Sequence, residues 1–263
     1  INTGNSLNLS TPETFNEKVQ WLKIHDRKKI YTSLADKYEA KEIIKNIIGK
    51  EYIIPTLGVW DKYEDIDFKK LPEKFVLKCT HDSGGLVICR NRKELNYTEI
   101  EKKIKRSLKK NYYWSGREWP YKNIKPRILA EKLMGENEKK GLRDYKFFCF
   151  SGIPKMLYVS EGLENHATAN ISFYDLHGNE MPFYRKDYKP FGKKLTLPDN
   201  FPEMVVVAEK LARFVDNPFV RIDLYSIDNQ IYFSEITFSP CGGNIPFEPE
   251  EWDKRLGESI CIK

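Results

Sequence analysis

Apolar and polar residues along this chain follow two periods, and the switches between them mark the elements. Phe15, Val19 and Leu22 recur at helical spacing behind Thr14-x-x-Glu17, a capping box, and predict a short helix. Ile44, Ile47 and Ile48 predict a second helix over about residues 36–48, opened by Asp36-Lys37 and stopped by Gly49. The pattern then shortens. Phe75-Val76-Leu77-Lys78-Cys79 and Leu86-Val87-Ile88-Cys89 read as short strands joined by a flexible loop, Thr80-His81-Asp82-Ser83-Gly84-Gly85. Thr98-x-x-Glu101 predicts the cap of a further helix with Ile104 and Leu108 on its apolar edge. Strands are expected near 127–133, 145–150, 155–160 and 170–174, a helix near 203–214, and strands near 219–225 and 230–237. Strands and helices interleave without a regular βαβ rhythm, which is the mark of an α+β fold, here in two lobes meeting near residue 130.

Composition adds size and compartment. A chain of 263 residues, 40% hydrophobic and 13% aromatic, has ample material for a buried core. Charged residues make up 31%, yet the net charge is only +6, which speaks against disorder. No apolar run approaches the ~18 residues of a membrane span. Ile1-Asn2-Thr3-Gly4 shows no basic start followed by an apolar stretch and no Met, so no signal peptide and a trimmed start are expected. The five cysteines include no C-x-x-C pair, which argues against a zinc cluster or a disulfide framework and for a reducing cytoplasm. Residues 101–125 hold nine Lys/Arg against two Glu, a net of +7, leaving the rest near −1. A nucleic-acid binder would spread its basic surface more widely, so no nucleic-acid partner is expected.

Two stretches offer chemistry. In Val220-Arg221-Ile222-Asp223-Leu224-Tyr225, alternation places Arg221, Asp223 and Tyr225 on one strand face; in Ile231-Tyr232-Phe233-Ser234-Glu235-Ile236-Thr237 it groups Phe233, Glu235 and Thr237. A three-residue loop, Asp228-Asn229-Gln230, would set Asp223 opposite Glu235 and Arg221 opposite Thr237. Carboxylates facing each other at ~5 Å repel unless a cation or proton lies between them, and hard oxygens with an open coordination sphere suit Mg²⁺. A two-residue loop would instead throw Glu235 onto the other face, and an exposed hairpin with solvated charges is the alternative. The second stretch is Lys78 before Ser83-Gly84-Gly85. Glycines let backbone N–H groups approach a phosphate, though the Walker pattern is absent and a plain turn is the alternative. Asp65-Ile66-Asp67 would suit a metal-nucleotide of a glycosyltransferase but reads more simply as a surface turn.

Taken in order, these pieces resemble the ATP-grasp fold over roughly residues 33–245. They are Asp36-Lys37, Lys78 before its glycine loop, the strand Ala130-Glu131-Lys132-Leu133, and Arg221-x-Asp223 followed by Glu235-x-Thr237. Thr14-Phe15-x-x-Lys18-x-x-Trp21-Leu22-Lys23, Leu57-Gly58-Val59-Trp60, Asp144-Tyr145-Lys146-Phe147 and Tyr232-Phe233-x-Glu235-Ile236-Thr237-Phe238 resemble the TupA-like branch, associated with teichuronopeptide and capsular polysaccharide biosynthesis. The resemblance implies two α+β lobes with the nucleotide between them. Its stretches are 1–70, a helical segment and the start of the core; 71–130, a smaller lobe with the glycine loop; and 131–263, a larger lobe with the metal site. It implies ATP and Mg²⁺ as cofactors, with Lys37 and Lys78 on the phosphates and Ser83, Gly84 and Gly85 as a mobile loop above them. Glu131, Lys132 and Leu133 match the adenine-reading linker, Asp144 the ribose ligand, Asp223 and Glu235 the metal carboxylates, and Arg221 the group steadying an acyl-phosphate. Thr237 stands where many ATP-grasp enzymes have Asn.

The activity so implied is that of a carboxylate–amine ligase. Its expected partners are an amino acid and an acidic, uronic-acid-containing saccharide, with peripheral association with a membrane-linked glycan precursor. The basic stretch, interleaved with Tyr112, Tyr113, Trp114, Trp119 and Tyr121, would stack on sugar faces and neutralise their carboxylates; a solvated helix and loop is the alternative reading. A glycosyltransferase and a non-catalytic nucleotide- or saccharide-binding module are the competing functions.

Overall fold

The computed structural model describes residues 7–135, 142–163, 167, 169–192 and 194–262. Helix α1 (Phe15–His25) opens at the expected capping box: the Thr14 side chain accepts from Glu17 N, and the Glu17 carboxylate returns to Thr14 N. Two helices follow, α2 (Ile30–Ala35) and α3 (Glu39–Ile48). Lys37 is therefore not in a helical first turn as expected. It sits in the turn between them, where Asp36 Oδ1 accepts from Tyr38 N and Glu39 N and so starts α3. Strands β1 (Thr56–Trp60), β2 (Phe75–Cys79) and β3 (Leu86–Cys89) precede α4 (Tyr97–Leu108) and the single turn α5 (Tyr113–Gly116). The cap of α4 is Asn96, whose side chain accepts from Glu99 N, rather than Thr98.

With β4 (Ile128–Lys132), these strands form an antiparallel sheet of order β1-β4-β2-β3. Ile100 and Ile104 of α4 pack on it against Phe75, Leu77, Ile128 and Ala130. The larger sheet takes β5 (Asp144–Phe150), β6 (Ile153–Glu161), β7 (Asn170–Asp175), β9 (Phe219–Ile227) and β10 (Gln230–Thr237) in the order β10-β9-β5-β6-β7, all antiparallel. Between them in sequence lie β8 (Tyr184–Arg185), which pairs with β11 (Phe247–Glu248), and α6 (Phe201–Val215). Helix α7 (Glu251–Gly257) comes last.

One face of the larger sheet is uniformly apolar: Phe147, Ile222, Leu224, Phe233 and Ile236 pack under α6, α2 and α3. The other face changes character along its strands. Phe148, Phe150 and Phe219 pack with Phe15 and Val19 of α1, while Asp144 and Lys146, and Arg221, Asp223 and Tyr225, continue the same strand faces as polar positions. The switch from apolar to charged along one face is where the cleft begins. Helix α1 holds the apolar half closed: Lys18 Nζ donates to Gly257 O (2.8 Å) and Ile260 O (2.9 Å), and Asn16 bonds Ile245 and Asp253. The N-terminal motif thus ties the start of the fold to its end.

Candidate active site

The cleft lies between β2 of the smaller sheet and β5, β9 and β10 of the larger. Glu235 stands opposite Asp223, and Thr237 opposite Arg221, but not by the expected route. The hairpin turn has two residues, Asp228 and Asn229, with φ of 50° and 61°. Such a turn needs positive φ at both central positions, which Asp and Asn tolerate. Uninterrupted pairing from it would set Ser234 against Asp223 and turn Glu235 into the core. A bulge at Ser234 absorbs one residue, so that Phe233 pairs with Leu224 and Glu235 with Asp223. Phe233 consequently does not share the face of Glu235: it is buried under α6 with Ile231 and Ile236, while Glu235 and Thr237 line the cleft.

The paired carboxylates share a cation. Arg221 Nη2 donates to Asp223 Oδ2 (2.6 Å), Glu235 Oε1 (3.0 Å) and Thr237 Oγ1 (2.9 Å); Nε reaches Asp223 Oδ1 (2.7 Å) and Nη1 the Tyr158 hydroxyl (3.2 Å). Lys146 Nζ donates to Asp223 Oδ2 at 2.8 Å and lies 3.3 Å from Asp144 Oδ1. Burial works against the charge of Glu235, but the Arg221, Lys37 and Lys146 cations outweigh it and hold the carboxyl down at about 2. For Asp144 burial wins, against Lys146 and helped by Asp223, and pushes the carboxyl up; its Oδ1 has no aligned donor. Among the described residues no three His, Cys, Asp or Glu side chains form a closed metal cluster. Asp223 and Glu235 with the Thr237 hydroxyl are a sparse set of hard oxygens, which fits a Mg²⁺ that draws its remaining ligands from water and phosphate.

Lys78, Lys41 and Lys37 are fixed by partners of their own. Lys78 Nζ lies 2.6 Å from Glu131 Oε2, and Lys41 Nζ from β4's same carboxylate is also 2.6 Å, at Oε1. Burial opposes ionisation of Glu131, yet Lys78 and Lys41 together hold it down at about 2. Lys37 is tied to the glycine-rich loop twice, by its N–H to Thr80 O (3.1 Å) and by Nζ to the Asp82 carbonyl. That loop is anchored rather than free. Asp82 Oδ1 accepts from Gly85 N (3.1 Å), Ser107 Oγ of α4 donates to Asp82 Oδ2, and His81 Nε2 lies 3.1 Å from Ser107 O. A Cβ on Gly85 would meet Ser107 Oγ at 2.5 Å and Cys79 Cβ at 2.7 Å. Only Ser83 and Gly84 stand exposed at the tip, with Ser83 hydrogen-bonded to Tyr112.

A neighbouring apolar pocket takes Ile54, Val76, Ile88, Leu133, Met134 and Leu142 as its walls, with Glu131 and Lys132 along one edge, and joins the cleft through Lys78, Asp144 and Tyr225. The Lys132 side chain is exposed at its rim. Lys37, Lys78, Ser83, Gly85, Asp144, Arg221, Glu235 and Thr237 meet in the cleft; Glu131, Lys132 and Leu133 in the pocket. Asp223 lies beneath, fully buried, and Gly84 faces a separate groove. Asp65 and Asp67 line neither space; Asp67 Oδ1 accepts from Lys69 N in an exposed turn.

Several site residues escape sequence reasoning. Lys146 is legible in hindsight, two positions from Asp144 on one strand face. Lys41 carries no signal beyond helical spacing. Glu118 is one of two acids in the basic stretch 101–125, and the structure buries it in the cleft wall. Burial pushes its carboxyl up to about 7, against Lys23 and Arg221 and with help from Glu235.

The family described as TupA-like ATPgrasp matches residues 17–261. The chain belongs to the TupA-like ATP-grasp family. Solved structures similar to it include D-alanine–D-alanine ligase from Helicobacter pylori, at 17% identity and a TM-score of 0.49, covering 94% of this chain and 69% of that one. The Bacillus anthracis D-alanine–D-alanine ligase complexed with ATP gives 17% and 0.43 over 78% of this chain and 53% of its own. An L-amino acid ligase from Bacillus licheniformis gives 15% and 0.46 over 84% and 47%. The chain thus spans about half the length of the last two. No curated protein matches. Among the described residues no helix of this ATP-grasp protein is long and apolar enough to cross a membrane.

Proposed function

We propose that this ATP-grasp protein is an ATP-dependent carboxylate–amine ligase. It would join an amino acid to a uronic-acid-containing polysaccharide or its precursor through an acyl-phosphate. The observation that carries this is the continuity of an apolar pocket, two lysines and a cation-bridged carboxylate pair along one cleft. In this reading an adenine would occupy the pocket beside Glu131, Lys132 and Leu133, with the ribose toward Asp144. Lys37 and Lys78 then face the phosphates. Asp223, Glu235 and Thr237 would hold Mg²⁺, which when bound offsets phosphate charge.

A substrate carboxylate oxygen attacks the γ-phosphorus, the bond to the β-phosphate oxygen breaks, and ADP leaves. Arg221 remains beside the reacting group as a fixed, buried cation and stabilises the developing charge. The amine nitrogen then bonds the acyl carbon, the acyl–oxygen bond breaks, phosphate departs, and the amine gives up a proton. The two lobes exclude the water that would compete with that amine.

For the saccharide, the support is the outer wall of the cleft. Trp114 is 61% exposed with the Arg117 guanidinium 4.5 Å from its ring, and Lys122 lies 5.5 Å from the Tyr113 ring. Stacking surface and positive charge stand side by side there, which suits an acidic sugar.

The test is nucleotide binding followed by turnover. An ATP analogue with Mg²⁺ should raise the melting temperature where a nucleotide-sugar does not. Lys37→Ala and Lys78→Ala should each weaken that binding by about tenfold or more. ADP release across amino acids and uronic-acid acceptors would name the substrates. Unchanged nucleotide affinity in both variants would remove these lysines from the site.

A further inference from the structure

We infer that Glu118 is the residue that receives the amine substrate, binding it as an ammonium in the cleft. The inference rests on the ligase reading above and adds which side chain selects the nucleophile.

Glu118 is only 6% exposed, and that surface faces the cleft shared by Arg221, Glu235 and Lys37. Among the described residues no hydrogen bond or ion pair reaches its carboxylate; only its main-chain carbonyl is engaged, by Tyr121 N at 3.1 Å. A buried carboxylate without a partner is costly, and native folds rarely keep one without a use. The charged groups around it are already committed. From β9, Arg221 spends its donors on Asp223, Glu235, Thr237 and Tyr158. From α1, Lys23 donates to Gln20 Oε1 (2.8 Å) and Gly242 O (2.7 Å). From β10, Glu235 is an anion and repels. Tyr112 and Tyr121 of the same wall line the cleft beside it.

The position suits the second substrate. Lys78 approaches from β2 and Lys37 from the turn between α2 and α3, whereas Glu118 belongs to the segment whose outer face carries Trp114 and Arg117. One wall therefore presents cations outward and a single carboxylate inward. A ligand that bears an amine would satisfy that carboxylate with a charge-assisted hydrogen bond. A sugar hydroxyl is the weaker candidate, since a neutral partner brings no charge to the hydrogen bond.

The test measures binding without turnover. The parent, Glu118→Gln and Glu118→Asp are each melted with and without an ATP analogue plus Mg²⁺, then with each of the twenty amino acids, glucosamine, glucuronic acid and glucose at millimolar concentration. At least one amine should stabilise the parent, with affinity falling tenfold or more in Glu118→Gln and recovering in Glu118→Asp. The nucleotide shift should stay the same in all three. A neutral or acidic sugar that shifts the parent while no amine does would overturn the assignment, as would an amine shift that survives in Glu118→Gln, or none in the parent. Loss of the nucleotide shift in the parent would overturn the ligase reading instead, and leave an amine shift dependent on Glu118 to stand alone.

Discussion

Asp223 and Glu235 are direct partners across the β9–β10 hairpin, and one nitrogen, Nη2 of Arg221, bonds both of them, at 2.6 and 3.0 Å. Two carboxylates at that spacing need a cation. The chain supplies one itself, backed by Lys146 on Asp223. Of the side chains proposed to ligate Mg²⁺, Glu235 is thus held charged and Asp223 is fixed in orientation by the same guanidinium.

Removing Arg221 should therefore cost stability that Mg²⁺ can partly return. Arg221→Gln leaves two neighbouring carboxylates in a buried site without the cation that bonds both, Lys146 reaching Asp223 only. We expect a loss of about 3–5 kcal/mol in urea unfolding without metal. Several millimolar Mg²⁺ should raise the variant's midpoint more than the parent's. An equal Mg²⁺ effect on both proteins would show that the cation does not take Arg221's place.

The pairing was legible in the sequence, but for a reason the structure corrects. Counting back from Asp228-Asn229-Gln230 gave the right partners from the wrong loop length, because the shorter turn and the Ser234 bulge cancel. A bulge has no strong sequence mark, so simple alternation places Phe233 on the wrong face. The order of Lys37, Lys78, Glu131 and the Arg221–Thr237 strands could be read because each lies within a local pattern. What could not be read depends on contacts distant in sequence. Lys41 meets Glu131 across 90 positions, and Ser107 reaches Asp82 from the end of α4. Glu118 is inward-facing only because the segment around it folds over the cleft.

The Lys41–Glu131–Lys78 clamp predicts an acid-sensitive fold. The folded carboxyl titrates at about 2 against an ordinary value of 4.5. A depressed carboxyl contributes stability that is fully present above the unfolded value and is lost as pH falls through the folded one. About 3 kcal/mol should disappear between roughly pH 5 and pH 2. Glu131→Gln should be less stable than the parent at pH 7 and lack that part of the acid dependence. Chemical unfolding at stepped pH measures both; parallel curves for the two proteins would exclude the clamp as a source.

The two glycines of the loop should respond differently to alanine. At Gly85 the new Cβ would sit 2.6 Å from Cys79 Sγ and 2.5 Å from Ser107 Oγ, and both neighbours are buried. Gly85→Ala should cost about 1–3 kcal/mol. At Gly84 the nearest atom is Asp82 Oδ2 at 3.8 Å, so Gly84→Ala should stay within about 0.5 kcal/mol of the parent. Similar melting temperatures for both variants would mean that Gly85 is not packed as described.

If the Trp114–Arg117 wall takes an acidic saccharide, its binding should combine two salt responses. Charge attraction by Lys109, Lys110, Arg117 and Lys122 is screened by salt, whereas ring stacking is not. A uronic-acid oligosaccharide should bind more weakly in salt without being lost, and replacing the four basic residues with Ser should weaken it at low salt. A nucleic acid on the same surface would show the steeper slope of counterion release. Equal low-salt affinity in parent and variant would leave the wall a solvated surface.

Glu118 gives a stability signature of opposite sign to Glu131. Its folded carboxyl is raised to about 7 from an ordinary 4.5, chiefly by burial. The folded protein therefore holds this proton more tightly than the unfolded chain does. Its protonated form is fully compatible with the fold below about pH 4.5, and a penalty grows as pH rises through 7. The span corresponds to about 3 kcal/mol. Glu118→Gln mimics the protonated side chain at every pH, with the same volume and no charge. It should match the parent near pH 4 and exceed it by about that amount at pH 8. Differential unfolding across this range reads the gap directly. A gap that stays constant with pH would mean that Glu118 is ionised in the fold as freely as in water, and that the cleft wall does not bury it.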